Sequence, residues 1–386
     1  MKVPFFEGEL MRRGTLVFLA TLSASIIAFF ANLTISDILG PKSFGDFRTV
    51  VYLFAFLPML VEVGINASLT KYIAEFGEDR IKEVRYLIKW FIGIKLLNYA
   101  LLILLAFIFR DSIALYFLKD MSLNYLIIAG IFLLAMTFFS AFNFIMLGFQ
   151  NFKLFSLTQF LSSASSTTLG VLLSPFGIFY MIIGWGLGPL IGNLLNVYFL
   201  FKKKVFDTSQ SFDIKKIFLK FSLPIYPVEL STGLFNAAVP ILSLFFSQLL
   251  IGYYSFAFIF YVAAMLVPNA LSTVIFPKVS ELNGLKKYDY AKRILNKALK
   301  YYTPIAMTGL LFVFLFSEQF ISYVARQYLP SLLMFRVIVS LGLIFGYITI
   351  YANYLKGLGR VRKYALLILI QNITLIVVSF ILVSLK

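Results

Sequence analysis

Apolar residues run in stretches of about twenty along the whole chain, and each stretch ends in a short polar or basic segment. That length of helix crosses the hydrocarbon core of a bilayer. A window of about 19 residues gives about eleven spans, near 14–36, 47–72, 87–109, 123–147, 155–174, 179–201, 221–250, 253–276, 301–316, 332–355 and 364–385. The runs lack the apolar–polar alternation of barrel strands. The pattern therefore predicts an all-α polytopic membrane protein. Leu39-Gly40-Pro41-Lys42-Ser43-Phe44-Gly45 predicts a loop between the first two spans. Pro58, Pro189, Pro240 and Pro268 lie inside spans and predict kinks. Gly184, Gly188 and Gly192 are spaced for close helix contact, and the run Ser162, Ser163, Ser165, Ser166, Thr167 and Thr168 suits hydrogen bonding between helices.

Basic residues set the orientation. Alternate polar segments hold Arg12 and Arg13; Lys71, Arg80, Lys82, Arg85 and Lys89; Lys202, Lys203, Lys204, Lys215, Lys216 and Lys220; and a further run from Lys278 to Lys300. The intervening segments hold only Lys42, Arg48, Arg110, Lys119, Arg326 and Lys386. Cytoplasmic loops collect Lys and Arg, so the N-terminus is expected in the cytoplasm of a multi-pass protein of the cell membrane. Apolar character continues to Ile35, past any cleavage site near Ser23, so the first span reads as a retained helix.

Composition excludes several chemistries. The 386 residues are 61% hydrophobic and 13% charged, too little polar surface for a soluble protein of this length. The net charge of +17 belongs to the loops and to anionic headgroups, and nucleic acid is not an expected partner. Cys and His are both absent. The chain thus has no disulfide, no thiolate or imidazole metal site and no ordinary proton switch. No cofactor and no metal are expected.

The chain also repeats itself. Asn143-Phe144-Ile145-Met146-Leu147-Gly148 ends the fourth span and Asn353-Tyr354-Leu355-Lys356-Gly357 ends the tenth, each with a basic residue shortly after. Six spans separate them. An even offset predicts two lobes of the same orientation, related by a pseudo-two-fold along the membrane normal. The boundaries read 1–201 for the first lobe, 202–220 for a basic cytoplasmic linker and 221–386 for the second lobe. Ile214, Ile217, Phe218 and Phe221 predict a short amphipathic surface helix in or beside the linker.

Charges inside spans are the candidate site. Glu62 lies in the second span and Glu229 in the seventh; Lys95 and Arg336 lie a turn or more inside theirs, and Arg48 stands at the mouth of the second. Each costs about 3 kcal/mol at a helix centre, so such residues face a cavity or a partner. Lys95 and Arg336 have the alternative of reaching the interface along their stems, and Arg48 that of pairing with Asp46. The shorter Glu62 and Glu229 have less reach.

The motifs carry a resemblance. Leu39-Gly40-Pro41 with Phe44-Gly45, then Gly64 and Lys71-Tyr72-Ile73-Ala74-Glu75, resembles the first helical pair of the multidrug/oligosaccharidyl-lipid/polysaccharide (MOP) flippase superfamily. Lys220-Phe221-Ser222-Leu223-Pro224, Ile251-Gly252-Tyr253-Tyr254-Ser255-Phe256-Ala257 and Phe276-Pro277-Lys278-Val279-Ser280-Glu281 resemble its seventh and eighth helices. The pattern is most similar to the oligosaccharide flippase and polysaccharide biosynthesis branch. Two positions depart from it. Asp37 stands where a basic residue is usual, and Asn236-Ala237-Ala238-Val239-Pro240 lacks the mid-helix Asp of many members. The resemblance implies two six-helix-type lobes, the second short by one helix. It also implies a central cleft lined by helices one, two, seven and eight, with Arg48, Glu62 and Glu229 facing it.

The function implied is flipping of a lipid-linked oligosaccharide, on an isoprenoid phosphate or diphosphate carrier, across the cytoplasmic membrane by alternating access. Arg48, Lys95 and Arg336 would hold phosphate, and Glu62 and Glu229 would take part in coupling. Membrane lipids and glycan-assembly proteins are the expected partners, and one chain should suffice because the cleft lies within it. The alternative is a multidrug extruder of the same fold. A membrane enzyme is disfavoured, since no Asp-X-Asp metal motif, His, P-loop or large outer loop is present.

Overall fold

The computed structural model describes residues 4–77, 79–118, 124–205, 207, 210–211 and 213–386. Lys2, Lys119, the expected span start at Leu123 and parts of the basic linker (Phe206, Thr208, Ser209 and Phe212) lie outside the described residues. Every regular element among the described residues is helical. In chain order they are α1 (Pro4–Glu62), α2 (Ile65–Phe76), α3 (Ile81–Ile108), a short α4 (Arg110–Ile113), α5 (Asn124–Gly148), α6 (Phe152–Leu173) and α7 (Ile178–Lys202). Then follow a four-residue α8 (Ile214–Ile217), α9 (Leu223–Gly233), α10 (Ala238–Phe245), α11 (Gln248–Ala264), α12 (Leu266–Gly284), α13 (Tyr288–Val324), α14 (Leu332–Gly357) and α15 (Val361–Ser384).

Nine helical stretches among the described residues are long and apolar enough to cross a membrane. The first, Leu22–Glu62, contains two of the expected spans, and α6, lower in hydropathy because of its Ser and Thr residues, is long enough for another. The all-α polytopic expectation of about eleven spans therefore describes the chain.

Several local expectations change. The loop expected at Leu39–Gly45 shrinks to one residue. Gly40 alone is non-helical in α1 (φ 71, ψ 169), and Pro41 opens the next helical stretch, where its missing N–H costs nothing. The amphipathic surface helix is not a separate element. Ile214–Ile217 runs through a π-turn at Phe218–Ser222 into α9, and Ile214 and Ile217 are buried. Helix runs unbroken through Pro58 and Pro189. The seventh span instead switches to a 3₁₀ turn at Leu234–Ala237 before Pro240, and the eighth breaks at Met265 before Pro268. The span expected at 301–316 is the central part of the 37-residue α13. At 1.5 Å per residue that helix is about 55 Å long. Ala291, Leu295 and Ala298 at its start pack with Ile275, Val279 and Leu282 of α12, which continues the helix beyond its apolar part.

By proximity the chain forms two compact units, Met1–Ala31 with Leu53–Leu230, and Asn32–Tyr52 with Ser231–Lys386. They cut the chain elsewhere than the lobe boundaries read from the sequence, and close backbone packing explains both differences. In the second unit, a Cβ on Gly252 would stand 1.7 Å from the Pro41 carbonyl oxygen, and one on Gly45 1.9 Å from that of Gln248. Only glycine lets these backbones approach so closely, and the approach ties 32–52 to α11. Tyr328 stacks on Phe256 with ring centroids 4.3 Å apart and donates a 2.7 Å hydrogen bond to the Ser36 carbonyl.

In the first unit, Ser68 and Ser222 share a 2.6 Å hydrogen bond that ties the entry of the seventh span to α2. A hydrophobic cluster joins Ile65, Leu69 and Ile73 of α2, Leu87, Ile88 and Phe91 of α3, and Phe142, Ile145 and Met146 of α5. The glycine and serine rows predicted to pack do so. A Cβ on Gly188 would lie 2.0 Å from Ser166 Oγ, and that hydroxyl donates to the Trp185 carbonyl at 2.8 Å.

Candidate functional site

The second span is broken where its charge sits. Helix α1 stops at Glu62, Val63 and Gly64 both take positive φ (42° and 72°), and α2 starts at Ile65. Gly accepts this conformation readily, whereas β-branched Val does not. Close packing holds the break in place: a Cβ on Gly64 would fall 2.0 Å from the Ser222 carbonyl oxygen. A helix interrupted within the membrane exposes carbonyls on one side and N–H groups on the other, and both need partners.

Polar side chains supply those partners. Tyr226 donates to the Leu60 carbonyl at 2.9 Å, and Asn98 donates to that of Val61. On the N–H side, the Glu229 carboxylate of α9 faces the backbone N–H groups of Gly64 and Ala67, at the positive end of α2. Glu62 points into the same region. Its Oε1 accepts from Lys95 Nζ at 2.5 Å, and its Oε2 accepts from Asn66 Nδ2 at 2.7 Å. Asn66 Nδ2 also donates to Ser140 Oγ of α5 at 3.1 Å. Glu62 and Lys95 both lie within electrostatic reach of Glu229. A very small cavity of about 10 Å³ adjoins the pair, lined by Glu62, Lys95, Asn98, Tyr99 and Thr137 among others.

Three of the five sequence candidates, Glu62, Lys95 and Glu229, thus meet at one break. Lys95 is 1% exposed and committed to Glu62, so it does not snorkel to an interface. Asn66, Asn98 and Ser140 were not sequence candidates for the site. Asn66 carried a signal, since it stands four residues after Glu62 and two after Gly64.

Arg48 belongs to the second unit. Its guanidinium is buried; it donates to Asn32 Oδ1 at 3.0 Å and to Tyr52 Oη at 2.9 Å. It lies 4.6 Å from the Tyr52 ring centroid and 5.6 Å from that of Phe44, cation–π distances. Arg48 Nε has no hydrogen-bond partner among the described residues. Tyr52 packs edge-on against Phe258, which stacks on Tyr261. Arg336, half-buried on α14, donates from Nε to Ser317 Oγ at 2.9 Å. Among the described residues no group of three or more acidic, His or Cys side chains could hold a metal ion.

A family model described as polysaccharide biosynthesis protein matches residues 10–283, well over half the chain. The chain belongs to this polysaccharide biosynthesis protein family, within the MOP flippase superfamily. Solved structures share the family member's fold. An inward-facing multidrug-resistance MATE transporter of the MOP superfamily is 16% identical, with 94% of each chain covered and a TM-score of 0.71. An outward-facing MATE transporter is 15% identical, covering 97% of this chain and 94% of its own, with a TM-score of 0.60. A MOP superfamily transporter from Pyrococcus furiosus Vc1, whose description reports a binding pocket of reverse polarity, is 15% identical over the same shares, with a TM-score of 0.58. No curated protein sequence matches significantly. The family and fold are those of membrane transporters, and this polysaccharide biosynthesis family member is a multi-pass membrane protein of the MOP type.

Proposed function

We propose that this transporter flips a lipid-linked oligosaccharide, on an isoprenoid phosphate or diphosphate carrier, from the cytoplasmic to the outer leaflet of the cell membrane by alternating access. The match to a family of polysaccharide biosynthesis proteins carries the reading. Arg48 supports it: a buried guanidinium with a spare N–H, held between a Tyr and a Phe ring, suits a phosphate oxygen and not a cationic drug. In this reading Arg48 and Arg336 hold the anionic headgroup, and Glu62 and Glu229 take part in coupling. The lobes are 1–201 and 221–386 with 202–220 as cytoplasmic linker. The N-terminus is cytoplasmic, one chain suffices, and glycan-assembly proteins are the partners.

The MATE likeness favours the second reading, drug extrusion, through the acidic pair Glu62 and Glu229. Expression in two bacterial strains separates them, one lacking its oligosaccharide flippase and one lacking its drug pumps. The proposal expects surface glycan restored in the first and no drug resistance in the second. Arg48→Ala, Glu62→Ala and Arg336→Ala should each reduce the glycan. Drug resistance without glycan would overturn the substrate assignment, and wild-type glycan from all three variants would overturn the residue assignment.

A further inference from the structure

The outer face of α3 carries an open groove. Tyr86, Lys89, Trp90, Gly93, Ile94 and Leu97 line it, and its volume is about 490 Å³. Ligand pockets span about 300–1,000 Å³. The groove is widest in reach at Gly93, where an added Cβ would meet nothing within 4 Å. Other helical glycines are explained by contact: a Cβ would fall 1.7 Å from a neighbouring atom at Gly252, 2.0 Å at Gly188 and 2.1 Å at Gly346. Gly93 lies inside α3 and its φ is not positive. Neither close packing nor backbone conformation therefore accounts for it, and glycine weakens a helix interior. What Gly93 supplies is a notch in the helix surface.

The chemistry along this face is graded. Lys89 and the exposed Trp90 come first, then the notch, then the exposed Leu97, Leu101 and Leu104. Eleven residues separate Trp90 from Leu101, about 16 Å of helix. One leaflet of a hydrocarbon core about 30 Å thick has nearly that depth. A cation, aromatic rings at the interface and an apolar track below them match the headgroup, glycerol region and acyl chain of one lipid. The charge at this end is positive. Lys89 Nζ donates to the Asp207 carbonyl at 2.6 Å and Arg85 donates to that of Lys203 at 3.4 Å. Both acceptors are neutral, so neither cation is cancelled, and an ammonium with one bond made keeps two more donors. Glu83, the acidic residue of the first turn, is engaged by Arg80 at 3.0 Å.

We propose that this groove binds one anionic phospholipid from the leaflet at the N-terminal end of α3. Its phosphate lies at Lys89, its glycerol region against Tyr86 and Trp90, and one acyl chain crosses Gly93 toward Leu97. Uncancelled positive charge selects an anionic headgroup over a zwitterionic one. Lys89 also holds the backbone at Asp207, so the lipid and the segment after α7 share one anchor. The site does not depend on which cargo is carried.

Trp90 is itself the reporter. The chain has two tryptophans, so Trp185→Phe leaves Trp90 as the sole emitter. The full-length protein is placed in phosphatidylcholine vesicles doped with phosphatidylglycerol or phosphatidylcholine that carries bromine, a contact quencher, on its acyl chains. The proposal expects saturable quenching, with a midpoint mole fraction at least about fivefold lower for the brominated phosphatidylglycerol. Gly93→Leu fills the notch without meeting a neighbour and should remove the saturable component. Lys89→Gln keeps a donor for the Asp207 carbonyl, loses the charge and should make the two lipids equal. Equal quenching by both lipids in the parent protein overturns the proposal. So does an unchanged midpoint in Gly93→Leu, which would reduce the effect to diffuse attraction. If Gly93→Leu fails to fold, Lys89→Gln and the comparison of lipids decide. Unlabelled long-chain isoprenyl phosphate is added as competitor; relief of quenching at a lower mole fraction than unlabelled phosphatidylglycerol needs would overturn the phospholipid assignment. No glycan enters the assay, so its failure and that of the flippase reading are separate results.

Discussion

Replacing Lys95 by Met tests the core of the candidate site. The side chain keeps its length and apolar stem and loses only its charge. Its Nζ lies 2.5 Å from Glu62 Oε1, and Lys95 is 1% exposed. At an effective dielectric of about 20, unit charges at that distance attract by roughly 7 kcal/mol. Desolvation of both groups opposes most of this, so the intact pair adds little net stability. Removing one partner is different. Glu62 then stays buried without its cation and within reach of Glu229. Breaking a buried pair in this way costs about 3–5 kcal/mol. Glu62 keeps 19% of its side-chain surface exposed, which favours the lower end, about 3 kcal/mol.

Reversible unfolding in mixed detergent micelles reads the difference, with Trp90, on the same helix, as reporter. The decisive comparison is the double variant Lys95→Met with Glu62→Gln. It removes both charges while the Gln carbonyl can still accept from Asn66. It should lie within about 1–2 kcal/mol of wild type, well above the single variant. If Lys95→Met alone costs under about 1 kcal/mol, or the double variant is no more stable than the single, the ion pair is not what neutralises Glu62.

Three further outcomes follow from the packing and the charge pattern. Gly252→Val puts a side chain where a Cβ would already stand 1.7 Å from the Pro41 carbonyl oxygen, so size-exclusion chromatography should show no monodisperse protein; a folded variant would refute the close approach. Tyr328→Phe keeps the stack on Phe256 but removes the hydrogen bond to the buried Ser36 carbonyl, and should cost about 0.5–1.5 kcal/mol in the same unfolding assay. The chain has no cysteine, so single cysteines are clean topology probes. Lys287→Cys should react with an impermeant reagent only from the cytoplasmic side and Lys42→Cys only from outside; the reverse would overturn the orientation read from the loops.

Spans, helix type and the glycine and serine packing rows were legible in the sequence, because each rests on a local periodicity or on bilayer thickness. The presence of Glu62, Lys95 and Glu229 as candidates was legible too, since a charge among apolar residues stands out whatever it touches. Their meeting was not. Lys95 is 33 residues from Glu62, and the bond depends on how α3 packs against the second span. The break at Val63–Gly64 lay between these cases. Glycine occurs in intact membrane helices as well, so Gly64 alone could mean contact or interruption. Here it is both, because the Ser222 carbonyl reaches the backbone at the point where the helix turns.

That coincidence carries a general argument about the site. A break in a buried helix exposes several backbone groups, and this chain meets the known ones with Asn98, Tyr226 and Glu229. Asn98 comes from the third span, Tyr226 and Glu229 from the seventh. Two separate stretches of sequence thus converge on one interruption, which a mere packing defect would not require. An unbroken leucine-rich turn at 61–67 would need none of these polar groups and would be cheaper to bury. The break and the carboxylates are therefore explained together if the interruption exists to hold charge.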